Sequence, residues 1–315
     1  MSMAFVFPGQ GSQQVGMGRA LAEASATARE VFDEVDEALD QKLSTLMWEG
    51  PEDELTLTEN AQPALMAVSL AVARVLMAEH GIAITTAAYV AGHSLGEYSA
   101  LAAAGTFTLA DTARLLKLRG RAMQRATPVG TGAMAALIGL DYETAAMIAR
   151  DAAAGEICQP ANDNAPGQVV LSGHRGAVER AVALAKTRGA RRALMLTVSA
   201  PFHCTLMEPA AEVMAGALAG VKMKSPMVPL VANVTAAPVK ETKAIRECLV
   251  RQVTGTVRWR ECTAFMADGG VTFFAELGSG KVLSGLAKRI APEATAVAAG
   301  TPDEIAALAS QISAS

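Results

Sequence analysis

The sequence predicts an α/β protein: a parallel sheet faced by helices, with a small ferredoxin-like unit inserted over residues 128–198. Three observations predict it. Short apolar runs alternate with helical patterns along most of the 315 residues, as when crossover helices join parallel strands. In the middle the order becomes strand–helix–strand–strand–helix–strand, which is the ferredoxin-like order. Finally, an apolar run at 87–91 turns into a helix through Gly92-His93-Ser94-Leu95-Gly96. A serine flanked by glycines two places away, between strand and helix, matches the turn that presents a nucleophile. Residues 1–127 and 199–315 are therefore read as one large domain interrupted by the small one.

Each element has a local reason. Ala4-Phe5-Val6-Phe7 is a buried strand ended by Pro8-Gly9. The loop Pro8-Gly9-Gln10-Gly11-Ser12-Gln13-Gln14 has part of a dinucleotide-binding pattern, but Gln14 stands where the third glycine belongs. It is read as a solvated turn or as one that aims an amide into a site. Helical patterns cover 21–39 and 62–80, the second with Thr58, Glu59 and Asn60 as capping residues. Its most apolar part, 64–77, holds Ser69 and Arg74 and reads as too short and interrupted to span a bilayer. After the elbow, a helix over 97–104 closes at Gly105, and Thr108 with Asp111 starts another that reaches about Arg125. The small unit has strands at 132–140, 157–162, 168–172 and 192–198 and helices at 142–154 and 176–186. Beyond it, 228–233 and 271–277 are strands, and a short helix follows Thr301.

Hydrophobic residues make up 51% and charged residues 18%, so a sizeable core is expected. A formal net charge of -4 argues against a general nucleic-acid surface. Cys158, Cys204, Cys248 and Cys262 are scattered, with no C-x-x-C pair. That pattern, and an N-terminus without secretory-leader features, lead to the expectation of a soluble cytoplasmic protein with reduced thiols and no membrane segment.

A serine needs a base to attack at neutral pH, and there are four histidines. His80 ends a helix, and His174 reads as a surface residue. His93 serves either packing or a site wall. His203 follows the stiff Ala200-Pro201-Phe202 and is either a positioned base or a capping residue. No H-x-x-x-H or H-E-x-x-H spacing occurs, so no metal site is expected. No Asp or Glu near the later strands stands out to orient an imidazole. That favours transfer to a good nucleophile such as a thiol over hydrolysis. On the helix from Leu109, Lys117 and Arg119 flank the apolar stripe, and either can grip a carboxylate. Gly278-Ser279-Gly280-Lys281 is not a phosphate loop, since Ala275 and Val282 occupy the required glycine and hydroxyl positions.

Seven stretches in order resemble the malonyl-CoA:acyl carrier protein transacylase family. They are 7–13, 92–97, Arg119-Gly120, 130–134, 164–170, Pro201-Phe202-His203 and 276–283. The resemblance implies an α/β-hydrolase-like large domain and assigns roles. Ser94 is the acylated nucleophile and His203 its base. Gln10 and the Leu95 N–H form the oxyanion hole, Arg119 holds the malonyl carboxylate, and the Gln252 main chain orients the histidine. Phe202 resembles the pattern of malonyl users, with His93 and Asn162 as further pocket residues. Malonyl-CoA and acyl carrier protein are the implied partners of a monomer. No cofactor is implied beyond the coenzyme A thioester and the carrier's phosphopantetheine, which are substrates. A basic surface from Lys186, Arg191 and Arg192 is expected near the cleft to meet an acidic carrier. The competing readings are a polyketide-pathway acyltransferase, a serine esterase or thioesterase, and a non-catalytic carrier-binding module.

Overall fold

Phe5 and Phe7 point to one side of the first strand and Ala4 and Val6 to the other, and all four are buried. A strand buried on both faces must lie between two layers of helices. The computed structural model, which describes residues 2–314, has this arrangement. The strands are β1 (Met3–Phe7), β2 (Tyr89–Gly92), β3 (Gly132–Ile138), β4 (Cys158–Ala165), β5 (Gln168–His174), β6 (Arg192–Met195), β7 (Leu230–Ala232), β8 (Ala237–Val239), β9 (Phe273–Leu277) and β10 (Thr295–Ala299). The helices of the first half are α1 (Arg19–Ala24), α2 (Ala26–Leu39), α3 (Leu43–Glu49), α4 (Glu52–Thr56), α5 (Thr58–His80), α6 (Gly96–Ala103) and α7 (Leu109–Arg125). They are followed by α8 (Tyr142–Ala153), α9 (Arg175–Thr187), α10 (Glu208–Gly220), α11 (Thr242–Thr254), α12 (Trp259–Asp268), α13 (Val282–Ile290) and α14 (Pro302–Ser313).

The large sheet has the order β10-β9-β1-β2-β7-β8, parallel except for the edge strand β8. Its Phe5 and Phe7 face packs on α5 and its neighbours, and its Ala4 and Val6 face on Trp259 of α12 and Leu283 of α13. The second sheet, β4-β5-β3-β6, is antiparallel and has the strand order of a ferredoxin-like unit. Ala133, Ala135 and Leu137 face α8 and α9, while Met134 faces the large body. The α/β class and the two-sheet organisation are those expected.

Three local expectations need correction. The helix expected over 21–39 is broken at Ser25, which is extended and caps α2 by accepting from Ala28 N at 3.1 Å. Thr58 does not cap α5 but is its first residue, and its hydroxyl donates to Gln10 Oε1 at 2.7 Å. The 23-residue α5 is also long and apolar enough to cross a bilayer. Burial, not length, marks it as a core helix, because 78% of its apolar window lies inside the protein.

Candidate active site

The turn from β2 to α6 is sharp because its glycines allow backbone to touch backbone. A Cβ on Gly92 would lie 1.9 Å from the Gly96 carbonyl carbon, and one on Gly96 would lie 2.2 Å from Phe7 O. Neither glycine carries the unusual dihedral. Ser94 does, at φ 53, a conformation that costs a non-glycine residue about 1–3 kcal/mol. Fixed partners over-determine it. Ser94 N donates to Asn233 Oδ1 at 2.9 Å, and Ser94 O accepts from Gln252 Nε2 at 2.9 Å. Asn233 Nδ2 in turn donates to Gly92 O at 2.8 Å.

The turn lifts the Ser94 hydroxyl into a cleft of about 370 Å³ between the two sheets. There Ser94 Oγ lies 2.8 Å from His203 Nε2. His203 Nδ1 lies 2.8 Å from Gln252 O. A carbonyl only accepts, so Nδ1 carries the hydrogen and Nε2 offers its lone pair to the serine. His203 is buried, and burial together with the nearby Arg119 charge pulls its pKa down to about 3. The imidazole is therefore neutral at physiological pH, the state a base requires.

Arg119, 1% exposed, projects from α7 into the same place. Its Nη2 donates to Ser94 Oγ at 3.0 Å and to Gln252 Oε1 at 2.7 Å, and Nη1 donates to Gln62 Oε1 at 2.8 Å. Its Nε is a buried donor without a partner. The Tyr98 ring lies 5.7 Å from the guanidinium carbon. Lys117, the other cation flanking the stripe, is engaged by Asn60, Gln41 and Glu59 at 2.7, 2.8 and 3.4 Å.

Gln10, Leu95, His93, Asn162 and Phe202 line the cleft with Ser94, Arg119 and His203. His93 Nε2 lies 2.9 Å from Asn164 Oδ1, and burial lowers its pKa. Gln252 reaches the group through both its carbonyl and its side chain. His174 is not a free surface residue as expected: it is half-buried, and its Nδ1 accepts from Ile157 N at 2.9 Å. Sequence reasoning missed Asn233, Gln62 and the role of Glu97. The signals were present: an asparagine ending an apolar strand run, a glutamine inside an apolar helix, and an acid buried in a first helical turn. Each also has a common structural explanation, and only the fold removes it.

Comparison with known proteins is consistent with this geometry. A family model described as acyl transferase domain matches residues 4–312. The malonyl CoA-acyl carrier protein transacylase of Escherichia coli K12 is 48% identical over 304 residues, covering 96% of this chain and 97% of the relative. The crystal structure of an acyl-carrier-protein S-malonyltransferase from Bartonella henselae is 54% identical with a TM-score of 0.97, covering 99% of this chain and 100% of the other. A malonyl-transacylase solved with a type II PKS acyl-carrier protein is 44% identical with a TM-score of 0.96, covering 99% of this chain and all of the other.

Proposed function

The chain belongs to the acyl transferase family, and from that premise we propose how its site works. The protein transfers malonyl groups from coenzyme A to acyl carrier protein, supplying fatty acid synthesis. Ser94 carries the group between the two thiols. The observation behind this reading is the 2.8 Å contact between Ser94 Oγ and a neutral, tautomer-fixed His203.

His203 Nε2 takes the Ser94 proton as the oxygen attacks the malonyl thioester carbonyl. The oxyanion falls to Gln10 and the Leu95 N–H, at the start of α6, where the helix dipole adds to the field. The intermediate collapses to the Ser94 ester as His203 returns the proton to the coenzyme A sulfur. The carrier's phosphopantetheine thiol then enters and the steps reverse. Arg119 receives the malonyl carboxylate, with Ser94 Oγ yielding its hydrogen bond as it becomes an ester oxygen. Phe202 fills the space a branched acyl group would need, and His93 and Asn162 complete the wall. Both thioesters are substrates, and the chemistry needs no further cofactor.

In this reading residues 128–198 form a separate small domain that closes the cleft, and 1–127 with 199–315 form the catalytic body. Lys186, Arg191 and Arg192 are exposed at the small-domain edge that leads to Leu196 and Thr197 on the cleft. An acidic carrier protein docks there, so transfer weakens with added salt. The protein acts as a soluble cytoplasmic monomer. Intact-mass analysis tests the reaction. Malonyl-CoA should add one malonyl mass that is absent in Ser94→Ala and that passes to added carrier protein. Release of free malonate without carrier would instead make the protein a thioesterase.

A further inference from the structure

The mechanism above uses Gln252 only through its carbonyl, yet its side chain is fully buried and has its own partners. Gln252 Oε1 accepts from Arg119 Nη2 at 2.7 Å. A guanidinium only donates, so the amide oxygen must face it, and the amide nitrogen must face acceptors. Those acceptors are Ser94 O, at 2.9 Å, and Glu97 Oε2. The other carboxylate oxygen of Glu97 accepts from Asn233 N at 2.5 Å, and Asn233 Oδ1 accepts from Ser94 N. Glu97 thus sits beneath the elbow, with one oxygen on each of the two residues that pin the Ser94 peptide groups. It is completely buried and does not line the cleft.

We propose that Glu97 is a positioning residue that holds Arg119 and His203 in register with Ser94 by fixing the amide of Gln252. This rests on the acyl-enzyme reading above. Among the described residues, Gln252 alone touches the carboxylate-binding arginine with its side chain and the base with its main chain. A shift of Gln252 therefore disturbs both together. Both oxygens of Glu97 accept from N–H donors, which favours an ionised carboxylate. A proton on either oxygen weakens it as an acceptor and loosens its hold on Gln252 or Asn233.

The charges around Glu97 support a measurable consequence. Burial pushes its pKa up to about 7, against the hydrogen bonds from Asn233 and Gln252 and the charge of Arg119. The groups facing it are Arg119 on α7, Tyr98 on α6, Cys248 on α11 and Cys262 on α12. Burial pushes Tyr98 up to about 12 and raises both thiols. Of these groups only Arg119 carries charge at neutral pH. His203 stays neutral down to about 3. An acid limb of acylation near neutrality then reports Glu97 rather than the base.

The test is the single-turnover rate of Ser94 acylation by malonyl-CoA, followed by intact mass from about pH 5.5 to 8.5. Wild type should lose rate with a midpoint near 7 as the pH falls. Glu97→Gln should be about 10- to 100-fold slower at the alkaline end, show no acid limb, and both lower kcat and raise KM for malonyl-CoA. Glu97→Asp, which keeps the charge, should recover part of the rate and the limb. A flat wild-type profile overturns the proposal whether or not the variants fold, and so does an acid limb that persists in Glu97→Gln. Failure of wild type to form any Ser94 adduct overturns the acyl-enzyme reading as well, and so is a distinct result.

Discussion

Two strand-to-helix turns follow the carboxyl ends of β2 and β9, which lie on either side of β1 in the large sheet, and each presents a serine among glycines. One joins β2 to α6 through Gly92-His93-Ser94-Leu95-Gly96. The other joins β9 to α13 through Gly278-Ser279-Gly280-Lys281. In the first, the serine itself takes the left-handed conformation, and its hydroxyl meets His203 and Arg119. In the second, Gly278 and Gly280 take the positive φ values, 139 and 87, and Ser279 Oγ donates to Ser12 O at 2.8 Å. Each turn also has a fully buried glutamate beside it. Glu276 accepts from Leu283 N and Ser284 N at 3.0 and 2.8 Å and so closes the N-terminus of α13. Glu97 accepts instead from Asn233 and Gln252, residues far along the chain. Glycine spacing makes a turn, whereas partners brought from a distance make it reactive.

The two turns should differ most when each serine loses its hydroxyl. Ser94→Ala should reduce acylation by about 10⁴-fold or more, while Ser279→Ala should stay within about twofold; intact mass with malonyl-CoA reads both. Next in size is the backbone. Gly92→Ala drives a Cβ into the Gly96 carbonyl and should cost about 3 kcal/mol. Gly280→Ala meets only Ser12 at 3.2 Å but must hold a left-handed φ, for about 1–2 kcal/mol. Urea denaturation of the two variants should preserve that order. A smaller effect concerns Arg119, which meets the first serine, whereas the cation of the second turn, Lys281, is paired with Glu304 at 3.3 Å. Arg119→Ala should lower malonyl relative to acetyl transfer by about 10- to 150-fold, and unchanged selectivity would remove Arg119 from the carboxylate site. The smallest is thermal. His203 has a lowered folded pKa, so its contribution to stability is present above 6.5 and is lost as the pH falls towards 3. The Tm advantage of wild type over His203→Gln should therefore shrink between about pH 7 and 4.

Much of this was legible in the chain. The elbow, the Thr108 cap, with Asp111 N donating at 3.0 Å, and the Thr301 cap of α14 depend on neighbours within a few residues. The strand–helix order of the small sheet is a local pattern too. Less legible was everything that depends on distance along the chain. Arg119 and Lys117 flank the same stripe and look alike by periodicity. Glu59, Asn60 and Gln41 engage the lysine, leaving the arginine for the cleft. The apparent lack of an acid to orient the base has a similar answer. Glu97 is adjacent to the elbow, but it acts on the amide that touches the arginine and not on the imidazole.

Local pattern in the chain is enough for the α/β class, the position of the elbow serine and the bounds of such elements as α7 and α8. Those follow from sterics, hydrophobic period and capping, all of which act over a few residues. The tertiary structure alone decided that His203 lies 109 residues from Ser94 yet 2.8 Å away, and that Gln252 joins them to Arg119 and Glu97. Such contacts exist only once two helical layers have closed over both faces of one sheet. Burial then determines which charges stay ionised, and a linear pattern of residues does not contain that burial.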